Sequence, residues 1–132
     1  MIAYLWVALG GALGSVGRFW LAGVVIARFG ENFPVATLIV NVSGSFVIGL
    51  LGAMGATEGS LLSSPGFRQF FLVGICGGYT TFSAFSLQTL QLAQRREWLF
   101  AGGNILLSVA LCLIAVWLGW LLGSMFHAVK GN

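Results

Sequence analysis

Four long apolar stretches, separated by short polar connectors, dominate this sequence. Its 132 residues are 58% hydrophobic and only 7% charged, whereas a soluble domain is about one quarter charged. Because a helix needs roughly 20 mainly apolar residues to cross a bilayer, the stretches predict an all-α membrane protein with four transmembrane helices. The predicted spans are residues 2–27, 35–56, 67–93 and 98–127, within a single transmembrane domain that covers residues 1–132.

The charged residues lie mainly in the connectors. All three acidic residues, Glu31, Glu58 and Glu97, fall between predicted spans. Proton-coupled pumps and cation exchangers usually need a carboxylate within the membrane, so this pattern favours transport of an anion or a neutral solute. The six cations are too dispersed to form a nucleic-acid surface. The sequence also predicts no enzymatic activity, because it contains neither a metal-ligand cluster nor a nucleophile–base pair.

The distribution of cations favours neither orientation in the membrane. With four spans, the amino terminus, Arg68 and Lys130 share one side, whereas Arg28, Arg95 and Arg96 share the other. By the positive-inside rule this is almost no bias. Two explanations remain open: an orientation set by other features, or dual topology in which inverted copies pair as an antiparallel homodimer. Four short spans are few for enclosing a pathway, which favours an oligomer.

A polar run interrupts the third apolar stretch. Two adjacent glycines, Gly77 and Gly78, precede four Thr or Ser residues and two phenylalanines. Glycine weakens a helix by about 1 kcal/mol per site, and irregular backbone at membrane depth occurs only where protein or a water-filled cavity satisfies it. We therefore predict that the third helix is broken near residues 77–83, beside a polar pathway.

Polar stripes run along two other predicted helices. Their members recur every four residues and so share one helical face. Hydrogen bonding between helices explains such stripes, and so does the lining of a pathway; both interpretations remain open here. The stripes are Thr37, Asn41 and Ser45 in the second span, and Asn104, Ser108 and Cys112 in the last.

Three further side chains each have two explanations. Phe82 and Phe85 are neighbours on a helix at i, i+3. They either pack in the core or turn their positive ring edges toward an anion. Arg18, near the end of the first span, either extends its side chain to the interface or supports a solute vestibule or the broken third helix.

Taken together, three segments resemble the CrcB/Fluc family of fluoride channels, and the resemblance covers nearly the whole chain. The segments are GGALGSVGRF at residues 10–19, TLIVNVSGSF at 37–46 and GGYTTFSAFS at 77–86. The resemblance implies a dual-topology antiparallel homodimer in the cytoplasmic membrane. It also implies passive, fluoride-selective export that gives resistance to fluoride toxicity.

The resemblance further implies roles for individual residues. Asn41, Phe82 and Phe85 match positions that line the fluoride pathway, and the carbonyls of Gly77 and Thr80 match those that hold a structural Na⁺ at the dimer interface. Gln88 stands where the family commonly has a glutamate. The whole predicted pathway is Asn41, Thr81, Phe82, Ser83, Phe85, Gln88 and Ser108, with Arg18 at its vestibule.

Two other function classes are alternatives to the channel. The first is a small four-span, dual-topology exporter of another solute, such as a proton-coupled exporter of cationic drugs, against which the lack of an intramembrane carboxylate argues. The second is a scaffold subunit, which fits the small-residue packing but leaves the hydroxyl-rich run at residues 77–86 unexplained.

Overall fold

Helices make up nearly all of the chain in the computed structural model, which describes residues 1–56 and 61–130, without the side chains of Leu61 and residues 127–130. Four of its helical segments are long and apolar enough to cross a membrane, the third being Pro65–Gln94. The predicted all-α architecture with four spans is therefore confirmed. The helices are α1 (Ile2–Phe29), α2 (Val35–Met54), α3 (residues 65–79), α4 (Phe82–Gln94) and α5 (Trp98–Lys130), with a 3₁₀ turn at Leu61–Ser63.

Local sequence signals explain where these helices start and stop. Gly30 ends α1 with a φ of 74°, a left-handed conformation that glycine adopts without steric cost. Pro34 directly precedes α2. At the start of α3, the Ser64 hydroxyl accepts a hydrogen bond from the Phe67 N–H, and Pro65 occupies the first turn. Short turns thus join α1 to α2 and α4 to α5.

Two predicted acidic positions lie in these turns. Glu31 follows α1, and Glu97 directly precedes α5. The predicted connector at residues 57–66 lies partly outside the described residues, and Glu58 lies there with it. The side chains of His127 and Lys130 are likewise outside them.

The helix α3 is not uniform. It is α-helical at Pro65–Phe67 and Gly77–Tyr79, and π-helical at Arg68–Cys76. A π-helix forms i→i+5 hydrogen bonds and is rare, and hydropathy did not predict it. The π-helical segment packs along α1, where the small-residue pattern of Gly10 and Gly14 allows direct backbone contact.

Glycines bring α1 and α3 together at several levels. A Cβ placed on Gly10 would meet the Phe70 carbonyl oxygen, and one on Gly14 would meet that of Ile75. A Cβ on Gly78 would lie 2.5 Å from the carbonyl oxygen of Gly11. Gly78 therefore serves close helix packing, although the sequence had suggested a role in interrupting the helix.

Two extended residues separate α3 from α4. Thr80 has φ −80° and ψ 159°, and Thr81 has φ −152° and ψ 114°. Both the N–H and the hydroxyl of Thr80 donate to the Cys76 carbonyl, at 3.0 and 2.9 Å. The N–H bond is the last i→i−4 bond of α3, which ends at Tyr79 because Thr80 is extended, so Gly77 itself is helical. We call Thr80 and Thr81 the extended pair.

Candidate functional site

The extended pair is fastened to α2 by Asn41. Its Oδ1 accepts a hydrogen bond from the Thr81 N–H at 2.8 Å, and its Nδ2 donates to the Thr81 carbonyl at 3.0 Å. One amide side chain thus satisfies both backbone groups of an extended residue, as a neighbouring β-strand would. For Asn41 the structure shows an interhelical hydrogen bond, which was one of the two interpretations of its stripe.

This arrangement redirects the hydrogen-bond donors of two carbonyls. In a continuous α-helix, the N–H groups of Thr81 and Ala84 would donate to the carbonyls of Gly77 and Thr80. The Thr81 N–H instead donates to Asn41, and the Ala84 N–H donates to the Thr81 hydroxyl at 3.1 Å. The Gly77 and Thr80 carbonyls therefore lack the donors that a continuous helix would give them.

The Thr81 side chain also starts α4. Its hydroxyl is the N-cap acceptor for Ala84, a type of contact that contributes about 1 kcal/mol. The Ser83 hydroxyl lies 3.2 Å from the same oxygen. Ser83 is exposed and does not line the cavity described next. Ser83 thus contacts the N-cap residue Thr81 and not the cavity.

A cavity of about 410 Å³, which we call the central cavity, lies at the extended pair. Phe82 is 77% exposed and Phe85 only 9%, and their ring centroids are 5.1 Å apart at an angle of 51°. Both rings therefore line the cavity, but Phe85 is buried whereas Phe82 is mostly exposed on the surface of the chain. Its lining comes from α2, α3, α4 and α5, and includes Asn41, Ser45, Gly77, Thr80, Thr81, Phe82, Phe85, Ser108 and Cys112.

The stripe on α5 divides between two roles. Ser108 and Cys112 line the central cavity. Asn104 is only 2% exposed, and its Nδ2 donates to the Thr89 hydroxyl on α4 at 2.8 Å. Thr89 in turn donates to the Phe85 carbonyl at 2.7 Å. Asn104 therefore joins α5 to α4 at Thr89, which lies one helical turn after Phe85.

Gln88 lines a different, more polar cavity of about 420 Å³, which we call the outer cavity. This cavity lies where the α1–α2 turn meets the end of α4, and Glu31, Gln91 and Arg95 also line it. The Gln88 Oε1 is buried and has no hydrogen-bond partner among the described residues. The structure thus separates Gln88 from the cavity that contains Phe82 and Phe85.

Arg18 lines a third cavity of about 370 Å³ between α1, α2 and α4. Thr37 and Thr81 line it as well. Because Thr81 also lines the central cavity, the extended pair forms part of the wall between the two. Arg18 therefore shares this cavity with Thr81 of the extended pair.

Sequence reasoning missed the contact between Ser43 and Tyr79. Their hydroxyl oxygens lie 2.9 Å apart, although 36 positions separate them in the chain. Neither residue follows the four-residue polar spacing, so only the packing of α2 against α3 brings them together. Thr89 was missed in the same way.

The four long apolar helices define a multi-pass membrane protein, and the central cavity lies beside Thr80 and Thr81 of its third span. A family model described as CrcB-like protein, Camphor Resistance (CrcB), matches residues 5–120, and the chain belongs to this family. The "Fluoride-specific ion channel FluC" of Opitutus terrae is 52% identical over 132 residues, covering 100% of both chains. The protein of the same name from Rhodospirillum rubrum is 53% identical over 118 residues, 89% of this chain and 92% of the relative. That from Methylocella silvestris is 48% identical over 128 residues, 97% of this chain and 98% of the relative.

Proposed function

We propose that this protein is a fluoride-selective channel that lets fluoride leave the cell passively and so protects it from fluoride. The observation that carries the proposal is the central cavity, whose lining brings two phenylalanines, several hydroxyl side chains and one amide side chain together at the extended pair. The names of relatives about 50% identical over nearly the whole chain support the same ion. They do not favour an exporter of another solute.

The chemistry of the lining suits a small anion. Phe82 and Phe85 supply ring edges, which carry partial positive charge, and Ser108 supplies a hydroxyl. Such groups replace part of the hydration shell of fluoride without a full opposite charge that would hold the ion too tightly for conduction. Asn41 and Thr81 shape the cavity wall. Ser83 acts indirectly, through the Thr81 cap.

The same segment fits a structural Na⁺. The Gly77 and Thr80 carbonyls have lost their helical donors, and both residues line the central cavity. Carbonyl oxygens are hard ligands of the kind that bind alkali cations in membrane proteins. In an antiparallel homodimer, the copies of these carbonyls from two chains would provide the ligands. The cation would then offset the cost of turning carbonyl oxygens into a dry interface.

A second inverted copy is the partner that this arrangement needs. The near-equal distribution of cations favours insertion in both orientations. Phe82 belongs to the proposed pathway, yet most of its ring is exposed on the single chain. A partner chain placed over this surface would enclose the ring and close the central cavity.

The other two cavities extend the proposed pathway. The outer cavity places Gln88 beside Arg95 at the end of α4, with Glu31 in the same lining, so it offers polar groups of both charges and no net positive field. We assign it as a mouth of the pathway. Arg18 on α1 supports the extended pair through the third cavity, which it lines together with Thr81.

Purified protein in liposomes loaded with fluoride tests this function. We expect efflux, measured with a fluoride-selective electrode, well above that of protein-free liposomes, and no matching efflux from chloride-loaded liposomes. Fluoride efflux at the protein-free level would contradict the channel. Equal efflux of the two halides would contradict its selectivity.

Replacing either Phe82 or Phe85 with isoleucine is expected to lower fluoride efflux by about tenfold, the change that about 1.4 kcal/mol of barrier produces. Isoleucine is also apolar but has no positive ring edge. Phe100→Ile is the matched control, because Phe100 pairs with Phe33 at 6.1 Å and does not line the central cavity. Efflux and the elution volume in detergent are measured together. Normal efflux in both cavity variants would leave the two rings with a packing role only.

A further inference from the structure

The Tyr79 hydroxyl, directly before the extended pair, forms a contact that the proposed pathway and cation site do not use. Ser43 Oγ lies 2.7 Å from the Ile39 carbonyl and 3.1 Å from the Val40 carbonyl. Carbonyls only accept, and a serine has one hydroxyl proton to donate. That proton is therefore directed to the α2 backbone, and the Tyr79 hydroxyl must be the donor in its 2.9 Å contact with Ser43.

A glycine on α2 makes room for this arrangement. A Cβ placed on Gly44 would meet the methyl group of Thr80 and would lie 3.1 Å from the Tyr79 ring. The Tyr79 ring and Thr80 thus both lie against α2 next to Ser43. Together with the bonds from Asn41 to Thr81, three consecutive residues, 79–81, are held by one turn of α2.

We propose that the Tyr79-to-Ser43 hydrogen bond is a positioning latch that sets the register of the extended pair on α2. Tyr79 is the last residue of α3, so the latch holds the end from which the Gly77 carbonyl projects. The Asn41 bonds hold the other end, which leads into Phe82. Because both ends of the segment 79–81 are attached to α2, the Gly77 and Thr80 carbonyls keep a fixed distance and orientation relative to the Phe82 ring. This role in conduction rests on the proposed function.

Amide hydrogen exchange tests the latch independently of transport. Tyr79→Phe removes only the hydroxyl, and we expect it to speed exchange at residues 80–84 several-fold while α2 and α5 remain as protected as in the wild type. Tyr4→Phe is the matched control, because Tyr4 is 80% exposed on α1. Unchanged exchange at residues 80–84 in Tyr79→Phe would overturn the latch, whether or not the wild-type protein passes fluoride.

Fluoride efflux at varied sodium concentration tests what the latch does. We expect Tyr79→Phe and Ser43→Ala each to raise the sodium concentration for half-maximal efflux at least threefold, and the double variant to resemble Ser43→Ala alone because both remove the same bond. Ser43→Thr retains a hydroxyl and should restore the wild-type value. Ser124→Ala is the control, since among the described residues Ser124 bonds only the Trp120 carbonyl of its own helix.

The possible results separate the two proposals. Wild-type protein that passes no fluoride would contradict the channel, while the exchange measurement still decides the latch. Wild-type efflux with an unaltered sodium dependence in both single variants would overturn the positioning role and leave the channel intact. A sodium shift that Ser43→Thr fails to reverse would also overturn it, because the hydroxyl would then not be the acting group.

Discussion

Asn41→Leu is expected to reduce fluoride efflux to near the level of protein-free liposomes and to lower the thermal stability of the protein. Leucine is close in size to asparagine but bonds neither the N–H nor the carbonyl of Thr81, which Asn41 binds at 2.8 and 3.0 Å. An unpaired buried polar group costs about 1–3 kcal/mol, so the loss of these two part-buried bonds costs at most roughly 2–6 kcal/mol. The total unfolding free energy of a protein is only about 5–15 kcal/mol.

Asn104→Leu is the comparison that separates conduction from stability. Asn104 is also an amide that joins two helices, but its partners are the Thr89 hydroxyl at 2.8 Å and the Ser108 hydroxyl at 3.4 Å, and it does not itself line the central cavity. We expect it to lower the unfolding temperature in detergent while retaining much more efflux than Asn41→Leu. Efflux in Asn41→Leu within about threefold of wild type, a barrier change of only about 0.7 kcal/mol, would contradict the importance of its bonds to Thr81.

Gly49→Ala is expected to destabilise the protein, although alanine favours a helix by about 1 kcal/mol relative to glycine. The interface of α2 with α5 is the most extensive in the described part of the chain. A Cβ on Gly49 would meet the Val116 carbonyl oxygen, and Gly119 similarly faces the carbonyl of Phe46. Backbone atoms cannot move aside as a side chain can, so the helices must separate. Overpacking of this kind costs typically 1–3 kcal/mol, which outweighs the gain in helix propensity.

Gly52→Ala is the matched control on the same helix. Its Cβ would lie 3.7 Å from the Trp120 ring, an ordinary van der Waals contact. This variant should be as stable as the wild type or more stable, since only the propensity term remains. Unfolding temperatures of both variants in one detergent decide the matter. A Gly49→Ala protein as stable as Gly52→Ala would show that the α2–α5 contact tolerates a larger separation.

The sequence predicted four spans because hydropathy is a local property. The predicted spans at residues 2–27 and 35–56 correspond to Ile2–Phe29 and Val35–Met54. Gly30 and Pro34 mark the turn between them through their own backbone preferences, whatever packs nearby. The π-helical segment Arg68–Cys76 was not predicted, since its composition is that of an ordinary apolar helix.

The pairing of polar residues was much harder to predict. The spacing of Asn41 and Asn104 placed each on a polar face, but gave no partner for either. Asn41 binds Thr81, 40 positions away, whereas Asn104 binds Thr89 and lies outside the central cavity. Gln88 follows Phe85 by three residues, yet it lines the outer cavity. Such partners depend on how helices pack, which periodicity alone does not contain.

By itself, then, the sequence determined that this chain forms four membrane-spanning helices and that a hydroxyl-rich run interrupts the third apolar stretch. These follow from the cost of placing charge and unpaired backbone in hydrocarbon, and each residue contributes to that cost on its own. Only the tertiary structure decided that Thr80 and Thr81 are the extended residues and that α2 holds them. Backbone groups leave a helix where other partners satisfy them, and here those partners lie on a different helix.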